Sequence, residues 1–363
     1  MPDGKNSVRP FAVLIKALAL FLVFNFTFAL PIFRGIYRLS LYNTILPGRY
    51  GFGGAADLDL MMAANMLSAP KEVDEFRVFL VGDSSVAGAG LDTRDKVVYL
   101  LDALHLQTCD GKTIRVYSLG SPFKSFVKDL LILDRAMEYR PDLIVEFVTL
   151  EAFTTSRQLP PTVIQQNPQH ALALIDKYHL DVQPPEGYLF PELTQNHTLI
   201  GERSKLSAWL SENLDAVRWA SGFDDRSGED EEGAVKNPGD DDLTFNGWTP
   251  PVLPENELRF DLMRALFTAA GDIPVLVVNE PILILAAGRN SDIRYDVNYP
   301  RWAYDQYRRI MIEKSAAEGW PYLDLWDAVP AEYFGNSSFH RQPQGERIVA
   351  DQLIPVIQTL SCP

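Results

Sequence analysis

The chain is poor in cysteine and histidine and nowhere concentrates positive charge. Two cysteines, Cys109 and Cys362, cannot build a multiply bridged scaffold. Lys and Arg number 33 against 48 Asp and Glu, a net charge of −15, and no basic patch suits nucleic acid. No segment repeats at a fixed period, which sets aside solenoids and propellers. The acidic residues do not follow the EF-hand spacing of alternate carboxylates and a Gly, so calcium is only the sharper alternative for the run at 223–242. In that run nine acids meet only Arg226 and Lys236 among Gly, Ser and Pro, the composition of a solvated, disordered loop. What remains is an ordinary apolar content over 363 residues, enough for one α/β domain with a full core and a large insertion.

Within that frame the most informative segment is Gly82-Asp83-Ser84-Ser85, which ends the apolar run Phe76-Arg77-Val78-Phe79-Leu80-Val81. A β-branched run stopping at Gly-Asp-Ser reads as a buried strand delivering a serine to a turn. The helical pattern that follows, over about 91–106, would direct its N-terminal amides back at the serine. Open α/β sheets place their ligand crevice at this carboxyl edge. Equally, Asp83 and Ser84 would serve as ordinary caps of a strand–turn–helix connection.

Near the other end, His340 falls between the run Pro321-Tyr322-Leu323-Asp324-Leu325-Trp326 and a final helix over about 343–360. The other four histidines, His105, His170, His179 and His197, lie in a helix or in the middle of the chain. A Gly-Asp-Ser after the first strand, with a late His followed five residues on by Gly345, resembles the SGNH (GDSL-type) hydrolases. The resemblance covers roughly residues 75–150 and 270–360. It implies a three-layer α/β/α fold with a five-stranded parallel sheet in the order 2-1-3-4-5, Ser84 as nucleophile and His340 as its base.

Three signature blocks depart from the family in part. The oxyanion block reads Ser118-Leu119-Gly120-Ser121-Pro122-Phe123, with Ser118 in place of Asn and Phe123 in place of Gly. An oxyanion hole needs a backbone N–H rather than a glycine as such. Counting from Pro141-Asp142, Glu151 stands where the family has its oxyanion-binding Asn. An ionised carboxylate there would repel the developing charge, so Glu151 is expected to be protonated as a donor, or paired with a nearby Arg. The family's Asp three residues before the His is here Ser337, which leaves a Ser–His dyad. Asp83 and, at the end of the fourth strand, Asn279 complete the residues expected to line the crevice. This chemistry requires neither a metal nor an organic cofactor.

The rest of the chain sets location and access. Residues 11–33 are apolar except for Lys16, Asn25 and Thr27, close to the ~20 needed to span a bilayer, and no clean signal-peptidase site follows. A single-pass anchor at 1–33 is expected, then a juxtamembrane segment at 34–74 and the SGNH-like domain at 75–363. Basic residues flank the anchor on both sides, so charge counting leaves its orientation open. The βαβ rhythm expects strands at about 76–81, 113–119, 143–149, 274–279 and 322–325, with helices at about 124–139, 255–270 and 301–318. An insertion at about 153–255, with helices near 170–180 and 205–221, leaves the third strand's carboxyl end and would lean over the crevice as a cap. An aromatic and charged loop, with Arg289, Asn290, Asp292, Arg294, Tyr295, Tyr299 and Arg301, would suit sugars or simply pack on the surface. Trp302 and Tyr304 belong to the helix core.

Together these features lead to a membrane-anchored esterase or O-acyl transferase acting on ester-bearing carbohydrate of the cell envelope. Its domain would lie outside the cytoplasm, and a membrane acyltransferase is an expected partner. The alternatives are a non-catalytic glycan-binding or assembly protein on the same scaffold, and a lipid esterase. In the strand order that the resemblance implies, the first and last helices share one face of the sheet. Their far ends would then bring Cys109 and Cys362 together as a disulfide.

Overall fold

In a computed structural model, the described residues are 10–27, 41, 58, 61–62, 69–184, 200–201, 203–221, 241–288, 290–335 and 337–362. Five strands, β1 (Glu75–Gly82), β2 (Thr113–Gly120), β3 (Leu143–Val148), β4 (Val275–Asn279) and β5 (Tyr322–Asp324), form one sheet in the order β2-β1-β3-β4-β5. Every neighbouring pair is parallel. This is the order implied by the resemblance. β1 and β3 are apolar almost throughout because both faces of a parallel sheet are covered. Alternation along β1 sends Phe79 and Val81 into one apolar cluster and Val78 and Leu80 into the other.

The first cluster is closed by α3 (Phe126–Ala136), α7 (Phe260–Ala270) and α8 (Arg301–Glu318). The second is closed by α2 (Val97–Asp102) and α9 (Pro343–Leu360). Part of the insertion, α4 (Thr162–Gln166) and α5 (Pro168–Lys177), adds Val163, Ile164, Ala171 and Leu174 to the first cluster by packing against α3. Its described portion therefore thickens one side layer. α6 (Arg203–Ala220) lies further along the insertion.

The helix after the nucleophile strand is much shorter than the expected 91–106. Residues 83–92 form consecutive turns, with Gly88 and Gly90 in the left-handed region at φ 66° and 77°, where a helix cannot start. Asp92 then accepts the Arg94 N–H at 2.9 Å and caps a single 3₁₀ turn, and α2 starts only at Val97. Its first amide, Val97 N–H, donates to Glu346 Oε2 on α9 at 2.8 Å rather than facing the serine.

At the N-terminus, α1 (Pro10–Thr27) spans 18 residues and exposes Phe11, Leu14, Leu20 and Phe24. Among the described residues no helix is long and apolar enough to cross a membrane. At 1.5 Å per residue α1 reaches about 27 Å, short of a ~30 Å hydrocarbon core. Residues 28–33 of the expected span lie outside the described residues. So do most of the juxtamembrane segment, residues 222–240 of the acidic run, and Arg289.

Cys109 and Cys362 are joined as a disulfide, with Cα atoms 5.2 Å apart across 253 residues of sequence. The bond ties the loop after α2 to the end of α9. A closed loop of this length restricts the unfolded chain. Replacing both cysteines by Ser should therefore lower unfolding stability by about 2–5 kcal/mol. Urea titration of the variant, and of the native chain with and without reductant, measures this. Coincident curves would show that the bond contributes nothing.

Candidate active site

Ser84 and His340 meet at the carboxyl edge of the sheet, with Ser84 Oγ 2.9 Å from His340 Nε2. Both are half-buried. Ser84 is brought there by the turn that leaves β1, and the seat of that turn is the end of β2. A Cβ on Gly120 would lie 2.4 Å from Ala87 N and 2.9 Å from Asp83 O, so only glycine allows the turn to rest on the strand. Ser118, at the position of the family's Asn, donates its hydroxyl to Val86 O at 3.1 Å and holds the same turn. On the other side, a Cβ on Gly345 would press to 2.9 Å from Tyr333 O and 3.0 Å from Arg341 Cβ, which explains a glycine five residues after His340.

The residues flanking the dyad are fastened to a buried cluster of charges. Lys124 Nζ bonds both Asp83 and Glu280 and lies 3.9 Å from the centre of the Phe339 ring. Ser85 donates its hydroxyl to Glu280, and its N–H donates to Asp83 Oδ1 at 2.8 Å. Arg341 completes the set: its Nε donates to Glu346 Oε1 at 2.7 Å, one Nη donates to Ser85 O at 3.3 Å, and the other is 3.8 Å from Glu280. Residues 83, 85, 339 and 341, the neighbours of Ser84 and His340, are all gripped this way. All five ions of the set are nearly inaccessible to water.

The ionisation of the set follows its geometry. Burial alone would raise the Asp83 pKa, but the Lys124 ammonium and the Ser85 hydroxyl and amide hold it far below the usual carboxylate range. Lys124, opposed by burial, is held up by Asp83 and Glu280. Burial and the nearby Asp83 push Glu280 upward against the pull of Lys124 and Arg341. A second cluster lies deeper. Lys128 Nζ donates to Gly82 O at 2.6 Å and Ser121 O at 3.1 Å, fixing the ends of β1 and β2. Burial and the charge of Asp129 raise the pKa of Glu146, on the central strand, well above normal.

The other predicted site residues divide. Phe123 is 46% exposed, with φ +74°, a conformation that Gly adopts without strain. Among the described residues neither the Ser84 nor the Phe123 N–H donates to another group of the protein. Glu151 is paired with an arginine. Its Oε1 takes a hydrogen bond from Arg157 at 2.6 Å, the ion-pair alternative, because the turn Leu150–Phe153 carries it toward Thr155–Arg157.

Asn279 does not line the crevice. It is fully buried, donates to Asp324 Oδ1 at 2.8 Å, and accepts from Tyr304 and Tyr307. Ser337 likewise does not replace the family's Asp. Its Oγ accepts the backbone N–H groups of His340 and Phe339 at 2.9 and 3.3 Å, shaping the loop from below. In the aromatic loop, Tyr295 and Tyr299 are core residues rather than a platform, and Tyr299 OH is 2.6 Å from Thr149 Oγ1. The loop's Arg294 spends its guanidinium on the carbonyls of Asp242, Asp296 and Val297. Burial pushes Asp296 up to about 7, and its Oδ2 has no hydrogen-bond partner.

Sequence reasoning missed Lys124, Arg341 and Glu346. Lys124 directly follows the oxyanion block and Arg341 directly follows the histidine, so adjacency was the available signal. Lys124 and Arg341 take their carboxylates from the ends of β1 and β4 and from α9, which no local pattern pairs.

No family model matches the chain, and no curated protein matches it in sequence. Among solved structures it is similar to a protein from Lactobacillus plantarum, at 14% identity over 78% of this chain and 96% of that one, with a TM-score of 0.36. A carbohydrate acetylesterase family member from Sinorhizobium meliloti gives 12% identity, 78% and 98% coverage and a TM-score of 0.34. TesA gives 12%, 78% and 99%, and 0.32. Likeness this slight assigns no activity.

Lys124→Met leaves Asp83 and Glu280 buried without their shared cation, which should cost about 3–5 kcal/mol of unfolding stability. Urea unfolding of the variant measures it. A loss under about 1 kcal/mol would show that the cluster does not hold this edge together.

Proposed function

We propose that the protein is an esterase or O-acyl transferase that uses Ser84 and His340 on ester-bearing carbohydrate. The carrying observation is the 2.9 Å contact between Ser84 Oγ and His340 Nε2 at the carboxyl edge of the sheet. That distance is within reach of direct proton transfer. Ser84 Oγ attacks the ester carbonyl while Nε2 takes its proton, and the Ser84 and Phe123 amides receive the oxyanion. Collapse of the tetrahedral intermediate expels the alkoxide, which takes the proton back from the imidazolium. Water or a second hydroxyl then attacks the acyl-serine with His340 again as base, giving hydrolysis or transfer.

Carbohydrate as the carrier of the ester is supported by the surroundings of the dyad. Ser84, His340 and Phe123 form a partly exposed shelf, and none of the three lines either of the two clefts found among the described residues. Such a shelf suits a short acyl group projecting from a bulky polar molecule. A non-catalytic glycan-binding role is favoured by the Glu151–Arg157 pair and by Ser337, both of which abandon the family's catalytic blocks.

Membrane anchoring belongs to the same reading. It is supported by the apolar side chains that α1 exposes, and by the apolar residues 28–33 that would extend the span past 18 residues. An extracytoplasmic domain fits the disulfide, since such bonds persist in oxidising compartments. A membrane acyltransferase would supply the acyl group in the transfer reaction.

Ser84→Ala should fold normally and lower turnover of a simple aryl acetate by at least about a thousandfold, with loss of fluorophosphonate labelling. Labelling that persists in the variant would place the nucleophile elsewhere. Native protein that neither labels nor turns over any ester would favour the binding scaffold. Independently, alkaline carbonate should leave the full chain in the membrane pellet, and release into the supernatant would overturn the anchor.

A further inference from the structure

Two clefts open on the flank of the dyad. The smaller, of about 550 Å³, runs from Glu151 and Arg157 to Phe245, Asn246 and Asn298. The larger, of about 1730 Å³, lies between residues 155–183 and α7. Ser84 and His340 line neither. The two share Ser156 and Pro160, so they form one groove with its near end at Glu151, just beyond the carboxyl end of β3. Ser156 is exposed at the junction and donates its hydroxyl to Asn246 Oδ1 at 2.8 Å. The larger part alone exceeds the ~300–1,000 Å³ typical of a small-molecule site.

The charges along this groove are matched. Glu151 is paired with Arg157 at 2.6 Å, Asp261 with Arg259 at 2.7 Å, Glu255 with Lys314 at 2.8 Å, and Arg264 is joined to Glu318 at 2.8 Å. Arg294 is occupied by main-chain carbonyls. Among the described residues each of these arginines and Lys314 already has a partner, and Asp181, Asp242 and Glu257 add acid to walls that also hold His179. The lining instead sets paired ions, amides and hydroxyls among Leu159, Pro160, Val182, Leu258 and Phe260, and so offers donors, acceptors and apolar surface to a neutral, hydroxyl-rich chain.

From this geometry we infer that the groove seats several units of a neutral polysaccharide, which presents an ester on one unit to Ser84. This rests on the carbohydrate-ester reading above and specifies its substrate as an extended, uncharged polymer. Remote subsites fit an open dyad, because binding energy gathered along the chain can position the ester where the shelf itself offers little grip.

The test uses the full chain and defined oligosaccharides of two to eight units, neutral gluco- and N-acetylglucosamine-based series beside polyuronates, with affinity measured by calorimetry. Affinity for a neutral series should rise about tenfold or more between two and six units and exceed that for polyuronates. Ser156→Trp, which blocks the junction from an exposed position, should reduce that gain to less than about threefold. If this variant lowers Tm by more than about 5 °C, Thr155→Trp, also exposed on the larger part, takes its place. An absent length dependence, polyuronates binding as tightly, or a gain that survives the blockade would each overturn the groove. Fluorophosphonate labelling of Ser84 reports separately on the ester chemistry, so a labelled protein without length-dependent binding defeats this inference alone.

Discussion

The carboxyl edge of the sheet depends on one ammonium group held where water cannot reach it. Lys124 can stay charged there only if carboxylates replace its hydration, and Asp83 and Glu280 do so from the ends of β1 and β4. Each carboxylate then has oxygen capacity left over. Asp83 uses it on the Ser85 amide and Glu280 on the Ser85 hydroxyl. The turn bearing the nucleophile is thus fixed through the residues on either side of it. Buried ion pairs of this kind add little net stability over apolar replacements, because desolvation offsets their attraction. Their benefit here is geometric: with so many mutual partners, the loops of Ser84 and His340 have one arrangement that satisfies every charge.

That view also explains how His340 manages without an acid three residues earlier. In a triad the third carboxylate orients the imidazole and stabilises its protonated form. Orientation is supplied here by Ser337 beneath the backbone of His340, by Phe339 over Lys124, and by Arg341 against Glu346 and the Ser85 carbonyl. The cluster holds three acids, Asp83, Glu280 and Glu346, against two bases, Lys124 and Arg341. The set therefore holds one carboxyl more than it has bases. Glu280, whose pKa is raised, holds its negative charge least firmly.

Much of this was legible in sequence where period and turn chemistry act locally. The strands, the parallel sheet, α8 and α9, and the approach of Ser84 to His340 follow from apolar runs punctuated by Gly-Asp-Ser and by the late histidine. The helix after β1 was misjudged because Leu91, Val97, Val98 and Leu101 have helical spacing, while Gly88, Gly90 and the Asp92 cap delay its start. The place of Asn279 at a strand end suggests the crevice, and that of Tyr299 in a polar loop suggests either a sugar platform or the surface. Long-range partners decide otherwise: Asp324, Tyr304 and Tyr307 draw Asn279 inward, and Thr149 draws Tyr299. The choice for Glu151 between neutral donor and ion pair turned on Arg157, six residues away, and only the geometry of the intervening 3₁₀ turns settles it.

The placement of His340 finally rests on how α9 is held. This helix follows the histidine directly, so any slide or tilt of it would carry the imidazole away from Ser84. At the active-site end, Glu346 in its first turn accepts the leading amide of α2 at 2.8 Å and pairs with Arg341. At the far end Cys362 is bonded to Cys109 in the loop beyond α2. Between these ends Val349, Leu353 and Ile357 pack into the same apolar cluster as Val97, Val98 and Leu101. Two helices pinned at both ends and packed along their length move as one body on that face of the sheet. The disulfide, remote from the chemistry, therefore restrains the same helix whose head presents the base, and the polar pin at Glu346 sets its register against the nucleophile turn.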